Sequence, residues 1–205
     1  MTNRADPVPG LDDELIRRLF DRRTLVLAGP LEDGNSNRLC QAILLLAAED
    51  PHSDICLFIN SPGGSIPGML AIRDCLRIVP NAVCTINLGM AYSAGQFLLS
   101  SGTHGRRYTM PHAKVLMHQG SAGIGGTAMD IAIQADDLRR TRDTVLRGIA
   151  EDTGQPIERI EEDSRRDRWF DAEEALRYGF VDAVVTSVTD VLPVAARPVG
   201  LRRQG

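Results

Sequence analysis

The sequence predicts an α/β fold built from repeated strand-turn-helix units, and three observations carry that prediction. Apolar runs at Thr24 to Ala28, Asp54 to Asn60 and Ala82 to Leu88 have the length of buried strands. Each run passes through a small-residue turn into a stretch of helical period, the alternation that parallel βα crossovers produce. A helical pattern from Thr127 runs for about 26 residues, roughly 39 Å at 1.5 Å per residue, too long for so small a domain to bury. That helix is expected to project and to meet another subunit.

In chain order, Asp12 can cap a first helix with Leu15, Ile16, Leu19 and Phe20 on one face. Strand Thr24 to Ala28 and turn residues Gly29 to Gly34 follow, then a helix from about Ser36 to Ala48 that ends before Pro51. The strand from Asp54 enters Ser61-Pro62-Gly63-Gly64-Ser65, which opens a helix from about Ile66 to Val79. The unit repeats as strand Ala82 to Leu88, turn Gly89 to Ala94 and a helix to about Ser100. Two short strands come next, Arg106 to Thr109 and Lys114 to His118. Gly120 to Gly126 holds four glycines in seven residues, too few side chains for an ordinary strand unless another backbone lies against it. In the long helix, capped by Thr127 with Asp130 three residues on, the stripe Ile131, Ala135, Leu138, Val145, Ile149 is interrupted by Arg142. Gly154 and Pro156 end it, a short helix spans Pro156 to Glu162, and Asp171 caps another that Gly179 stops. Phe180 to Val185 reads as the last strand.

At 205 residues one domain is expected, residues 11–189, with a flexible segment at 1–10 and a disordered tail at 190–205. A net charge of −4 with mixed signs offers no basic stripe for nucleic acid, and no apolar run approaches a membrane span. No secretory or transit signal is visible, so the expected location is the cytoplasm. Cys40, Cys56, Cys75 and Cys84 lack metal or disulfide spacing and read as buried free thiols, and no metal site is expected.

Four segments could carry chemistry. Ser93 lies where an apolar strand meets a helix through small side chains, so its hydroxyl can stand clear of the sheet beside the N–H groups of the helix's first turn. A serine there also reads as a plain N-cap. His118 ends an apolar strand and can face a cleft as a base, or be a satisfied buried imidazole. His52, His104 and His112 lie in turn-like sequence and read as solvated. Asp167 stands among Arg165, Arg166 and Arg168; the run reads either as a surface ion-pair patch or as the setting that keeps a partly buried orienting carboxylate ionised. Gly63-Gly64 permits positive φ and close backbone approach, which suits an oxyanion donor as well as a simple turn.

Together, Phe58 to Ser65, Ala91-Tyr92-Ser93-Ala94-Gly95, Leu116-Met117-His118-Gln119 and Asp163 to Phe170, in this order and spacing, resemble the ClpP family, the proteolytic subunit of the ATP-dependent Clp protease. The resemblance runs from about Leu11 to Val185. It implies a serine endopeptidase with Ser93 as nucleophile, His118 as base, Asp167 as orienting acid and the N–H groups of Gly64 and Ala94 as oxyanion hole. It also implies the crotonase-like αβ spiral with a strand-helix handle at about 119–152. Family resemblance further implies heptameric rings stacked in pairs into a tetradecamer, from one subunit or with a paralogue. An AAA+ Clp ATPase of the ClpX, ClpC or ClpA type would use the ATP and feed unfolded polypeptides, with no cofactor in this chain. Phe58 falls at an aromatic of the ATPase-docking pocket.

Three features depart from the family pattern. Tyr92 and Ala94 bracket the serine where Ala and Met are usual, which implies a reshaped substrate pocket. Gly120-Ser121 follows His-Gln in place of the usual proline, which should loosen the strand that pairs with an extended peptide. Arg165 replaces a common acid at the ring-ring contact, so like rings would bring Arg165 and Arg166 toward their own copies and favour an acid-bearing paralogue. Two rivals remain open: a crotonase-type acyl-CoA enzyme, and a catalytically silent ring subunit.

Overall fold

The computed structural model describes residues 11–120, 123–187, 189 and 191; the expected segment at 1–10 and nearly all of the tail at 190–205 lie outside them. In chain order the elements are α1 (Leu11–Phe20), β1 (Thr24–Ala28), α2 (Asp33–Glu49), β2 (Ile55–Ser61), α3 (Ile66–Ile78), β3 (Val83–Tyr92) and α4 (Ala94–Ser100). They continue as β4 (Arg107–Thr109), β5 (Lys114–Met117), α5 (Ala128–Thr153), α6 (Ile157–Ser164), β6 (Arg168–Phe170), α7 (Ala172–Tyr178) and β7 (Ala183–Val184). The expected α/β class and its strand-turn-helix repeat are what the chain adopts.

β1, β2, β3, β4 and β7 form one parallel path, and β5 also pairs in parallel with β3. Along β2, Ile55, Leu57 and Ile59 are completely buried against the helices in a core shared with Ile43 of α2, Ile72 of α3 and Phe97 of α4. The alternate residues Cys56 and Phe58 point to the other sheet face, into a smaller cluster with Cys84, Ile86 and Tyr108. This two-sided burial explains why the run lacks polar alternation.

β3 does not stop at Leu88 as the sequence suggested, and its continuation positions the site. Its first half pairs with β4 through Thr85 to Asn87; its second half, Met90 to Tyr92, pairs with β5. Between the halves the register against β2 shifts, and side-chain amides replace the missing ladder bonds. Asn60 Oδ1 accepts from the Met90 N–H (3.2 Å), Asn87 Oδ1 from the Gly89 N–H (3.2 Å), and Asn87 Nδ2 donates to the Lys114 carbonyl (3.0 Å). Gly89 therefore marks a strand irregularity rather than a turn.

Other differences have local causes. α2 starts at Asp33 because Asn35 Oδ1 accepts from the Glu32 N–H (2.8 Å), drawing Asp33 and Gly34 into the helix. α1 includes Leu11, so Asp12 lies in its first turn instead of capping it, and Leu15 and Ile16 are more than half exposed because only the far end of the helix, at Phe20, packs on the core. β7 is confined to two residues, and β6, which the charged sequence around it concealed, pairs antiparallel with β5. α5 spans 26 residues behind the expected Thr127/Asp130 capping box and ends at Gly154 in the left-handed conformation. The described residues between Met117 and Ala128 pair with no strand of this chain.

Candidate active site

Ser93 sits between β3 and α4 with φ 54° and ψ −116°, a conformation disfavoured for any residue with a Cβ. Backbone held this way costs about 1 to 3 kcal/mol and persists only where the surroundings enforce it. Here the Ser93 N–H is tied to the Leu116 carbonyl (2.9 Å) and its carbonyl accepts from the Phe97 N–H (3.1 Å). Although Ser93 occupies the N-cap position of α4, its side chain makes no capping hydrogen bond, so the hydroxyl is not spent on the helix.

Behind Ser93 runs the Gly63-Gly64 turn. A Cβ on Gly63 would lie 2.8 Å from Ser93 Cβ, and one on Gly64 would lie 2.1 Å from the Leu31 carbonyl oxygen. Both glycines have positive φ, 97° and 149°. The bridge to Leu31 uses the N–H groups of Leu31 and Ser65, leaving the Gly64 N–H outside that ladder. Ala94 is the first residue of α4, so its N–H has no intrahelical acceptor. Gly64→Ala, meeting both a left-handed backbone and a carbonyl oxygen, is expected to destabilise the fold by about 2 kcal/mol or more. A urea-unfolding midpoint equal to wild type would contradict this geometry.

The β5–β6 ladder brings His118 to Asp167. Its last pair is Met117 opposite Arg168, and one step further along an antiparallel register sets 118 opposite 167. His118 Nδ1 lies 3.3 Å from Asp167 Oδ1. The chain beyond His118 is anchored by the Gln119 N–H donating to the Ser164 carbonyl at the end of α6 (2.7 Å). Asp167 differs from the sequence reading in one respect: its side chain is 62% exposed rather than partly buried. Two of the flanking arginines serve other acids, Arg165 pairing with Glu162 at 2.8 Å and Arg168 with Asp163.

Ser93, Ala94, Gly64 and His118 share the wall of one cleft of about 700 Å³. Ser93 and His118 both line this cleft, and among the described residues no hydrogen bond joins the Ser93 hydroxyl to His118. The cleft continues over Met69 and Phe97 to the inner face of α5. Tyr92 is absent from its lining and packs edge-on against Trp169 of β6, ring centroids 5.0 Å apart. The expectation that Tyr92 reshapes the pocket is therefore corrected: one side of Ser93 stitches β3 to β6, and only Ala94 reaches the cleft.

The remaining residues singled out lie elsewhere. Phe58 is half-buried on the opposite sheet face, in the cluster with Ile86, Leu88 and Tyr108. The sequence pointed only to Phe58, because these companions come from two other strands, β3 and β4. Arg165 and Arg166 are exposed, as are His52, His104 and His112. All four cysteines are free, and the fold groups them in pairs: Cys56 and Cys84 are in register on β2 and β3, while Cys40 and Cys75 lie close enough for Cys75 to raise the Cys40 thiol. Cys40 and Cys75 are only half-buried, unlike the fully buried thiols expected. Burial, reinforced by Cys75, pushes the Cys40 thiol up to about 12. Among the described residues no group of three or more His, Cys, Asp or Glu is placed to hold a metal, and no helix is long and apolar enough to cross a membrane.

The family model for Clp protease matches residues 11–188. Over 199 residues the chain is 51% identical to the ATP-dependent Clp protease proteolytic subunit 3 of Streptomyces coelicolor, covering 97% of this chain and 90% of that protein. Proteolytic subunit 1 of Frankia casuarinae is 53% identical over 183 residues, 89% of this chain and 86% of that protein. Proteolytic subunit 2 of Mycolicibacterium paratuberculosis is 50% identical over 193 residues, 93% and 97% of the two.

Proposed function

The chain belongs to the Clp protease family as a serine peptidase subunit, and from that premise we propose that Ser93, His118 and Asp167 cut peptide bonds by acyl transfer. One observation carries the assignment. His118 Nδ1 faces Asp167 at 3.3 Å while His118 shares a cleft wall with a serine whose hydroxyl the helix cap leaves unused. With Nδ1 engaged, Nε2 is the nitrogen that takes the Ser93 proton as Oγ attacks a peptide carbonyl, and it returns that proton to the leaving amine. Asp167 fixes the imidazole tautomer, and the N–H groups of Gly64 and Ala94 receive the oxyanion. Water then releases the acyl group. Every proton moves between side chains and substrate, so the chemistry calls for no metal or cofactor in this chain.

With the same family reading we propose that the subunit works in stacked heptameric rings in the cytoplasm, fed with unfolded polypeptides by a Clp ATPase of the ClpX, ClpC or ClpA type. The cluster around Phe58 supplies the apolar docking surface. Relatives named proteolytic subunit 1, 2 and 3 support assembly with a paralogue. Arg165 is paired within its own chain, which leaves Arg166 as the guanidinium that seeks an acid across the rings. The test combines a fluorophosphonate probe with native mass measurement, on this subunit alone and mixed with an acid-bearing paralogue. Labelling at Ser93 and a mixed double ring are expected; an unlabelled Ser93 in an assembled ring overturns the catalytic assignment, and labelled double rings of this chain alone overturn the paralogue.

A further inference from the structure

The one break in the apolar stripe of α5 faces the cleft. Leu138, Val145 and Ile149 lie one or two helical turns apart on its wall, and Arg142 occupies the intervening position on that same face, lining the cleft with them. Arg139 lines it as well. An arginine on an apolar wall covers its neighbours with its stem and carries the guanidinium at the rim. Among the described residues no aspartate or glutamate lines the cleft. The acids that answer these cations lie off its wall: Asp143 Oδ1 accepts from Arg142 Nε and Nη2 at 3.0 and 2.8 Å, Glu161 adds its field to Arg142, and Asp136 pairs with Arg139. A peptide side chain entering the cleft therefore meets apolar walls and guanidinium donors, with no carboxylate to receive a cation.

We infer that Arg142 makes this cleft charge-selective, so that the subunit cuts after segments whose cleft-bound side chain is apolar or acidic and discriminates against lysine and arginine. This rests on the reading of Ser93 as nucleophile and extends it to substrate class. A guanidinium cannot be neutralised at any working pH. At roughly 6 Å, in a dielectric between water and interior, one unit charge changes binding by about tenfold, attracting glutamate and repelling lysine. The local acids reduce this without reversing it, because Arg142 and Arg139 line the cleft and Asp143, Asp136 and Glu161 do not.

The assembled protein is tested with blocked fluorogenic tripeptides of apolar sequence, placing Leu, Gln, Glu or Lys in turn at each of the three positions before the scissile bond. At the position that enters the cleft, kcat/KM for Glu is expected to exceed that for Lys by about tenfold or more, with Gln between them. Raising salt should shrink the ratio. Arg142→Lys should keep the preference, Arg142→Gln should flatten it and Arg142→Glu should invert it, each read as the ratio of kcat/KM for Glu to that for Lys within one protein. Lys equal to or better than Glu at every position, or a ratio that Arg142→Glu leaves unchanged, overturns the inference. Cutting of the leucine peptide without charge discrimination sinks it alone. A subunit that cuts nothing and leaves Ser93 unlabelled by fluorophosphonate sinks the catalytic reading beneath it as well. Arg142 is 45% exposed, so its variants should fold; labelling of Ser93 in each variant confirms a formed site.

Discussion

Ser93→Ala is expected to lower peptide hydrolysis by about 10⁶ while leaving the fold and its stability unchanged. The loss is this large because the three side chains act as a unit: without the hydroxyl, His118 has no proton to take and Asp167 orients an idle imidazole. On the proposed mechanism, what survives comes from the N–H groups of Gly64 and Ala94 as oxyanion donors. Stability is untouched for a reason visible at the backbone. The strain at φ 54° comes from carrying a Cβ at all, and alanine carries the same one. The hydroxyl makes no capping bond, so its removal orphans no donor on α4. Hydrolysis of a fluorogenic peptide, set beside a urea-unfolding curve, checks both halves. Undiminished cleavage would remove Ser93 from the chemistry, and a shifted unfolding midpoint would mean that the hydroxyl is structural.

The site's parts were legible in the sequence to the degree that they are local. Ser93 stood out because an apolar strand, a knot of small residues and a helix follow one another directly. The glycine turn stood out because only glycine tolerates the approach of Leu31 and Ser93 to its backbone. The partnership of His118 with Asp167 was legible only through family resemblance. The element that creates it, β6, is three residues long and flanked by arginines that suggest a surface patch. Pairing between distant short strands leaves no periodicity to read. The run of β3 through Gly89 was hidden for a related reason, since two asparagine side chains from separate strands supply the bonds that a continuous ladder would have made. The interruption of the α5 stripe at Arg142 was visible, whereas its meaning required knowing that this face walls a cleft.

Least legible of all was Asp152, one acid among several near the end of a long helix, and Asp152→Ala is expected to cost about 3 to 5 kcal/mol. Its carboxylate is completely buried, yet donors of three residues on two other helical segments converge on it: Arg73 Nη2 and Nε of α3 at 3.2 and 3.4 Å, Arg77 of α3, and Ser101 Oγ just after α4 at 3.0 Å. Removing the anion leaves Arg73, whose side chain is only 16% exposed, beside the Phe97 ring with the exposed Glu151 (3.0 Å) as its remaining acidic partner. Such a loss costs far more than an exposed pair is worth. Arg77→Ala should be milder, because Arg77 is 46% exposed and its loss leaves Asp152 paired with Arg73. The consequence extends to the cleft. Asp152 ties the base of α5 to α3 and to the end of α4, the helix that starts beside Ser93 and carries Phe97 on the cleft wall. Loosening that tie should raise KM for cleft-filling peptides more than it lowers kcat, since it disturbs the wall while the β5–β6 register still holds His118 to Asp167. Unfolding curves compared with steady-state constants for the two variants separate these effects, and wild-type stability in Asp152→Ala would show that the buried carboxylate is not what joins the three helices.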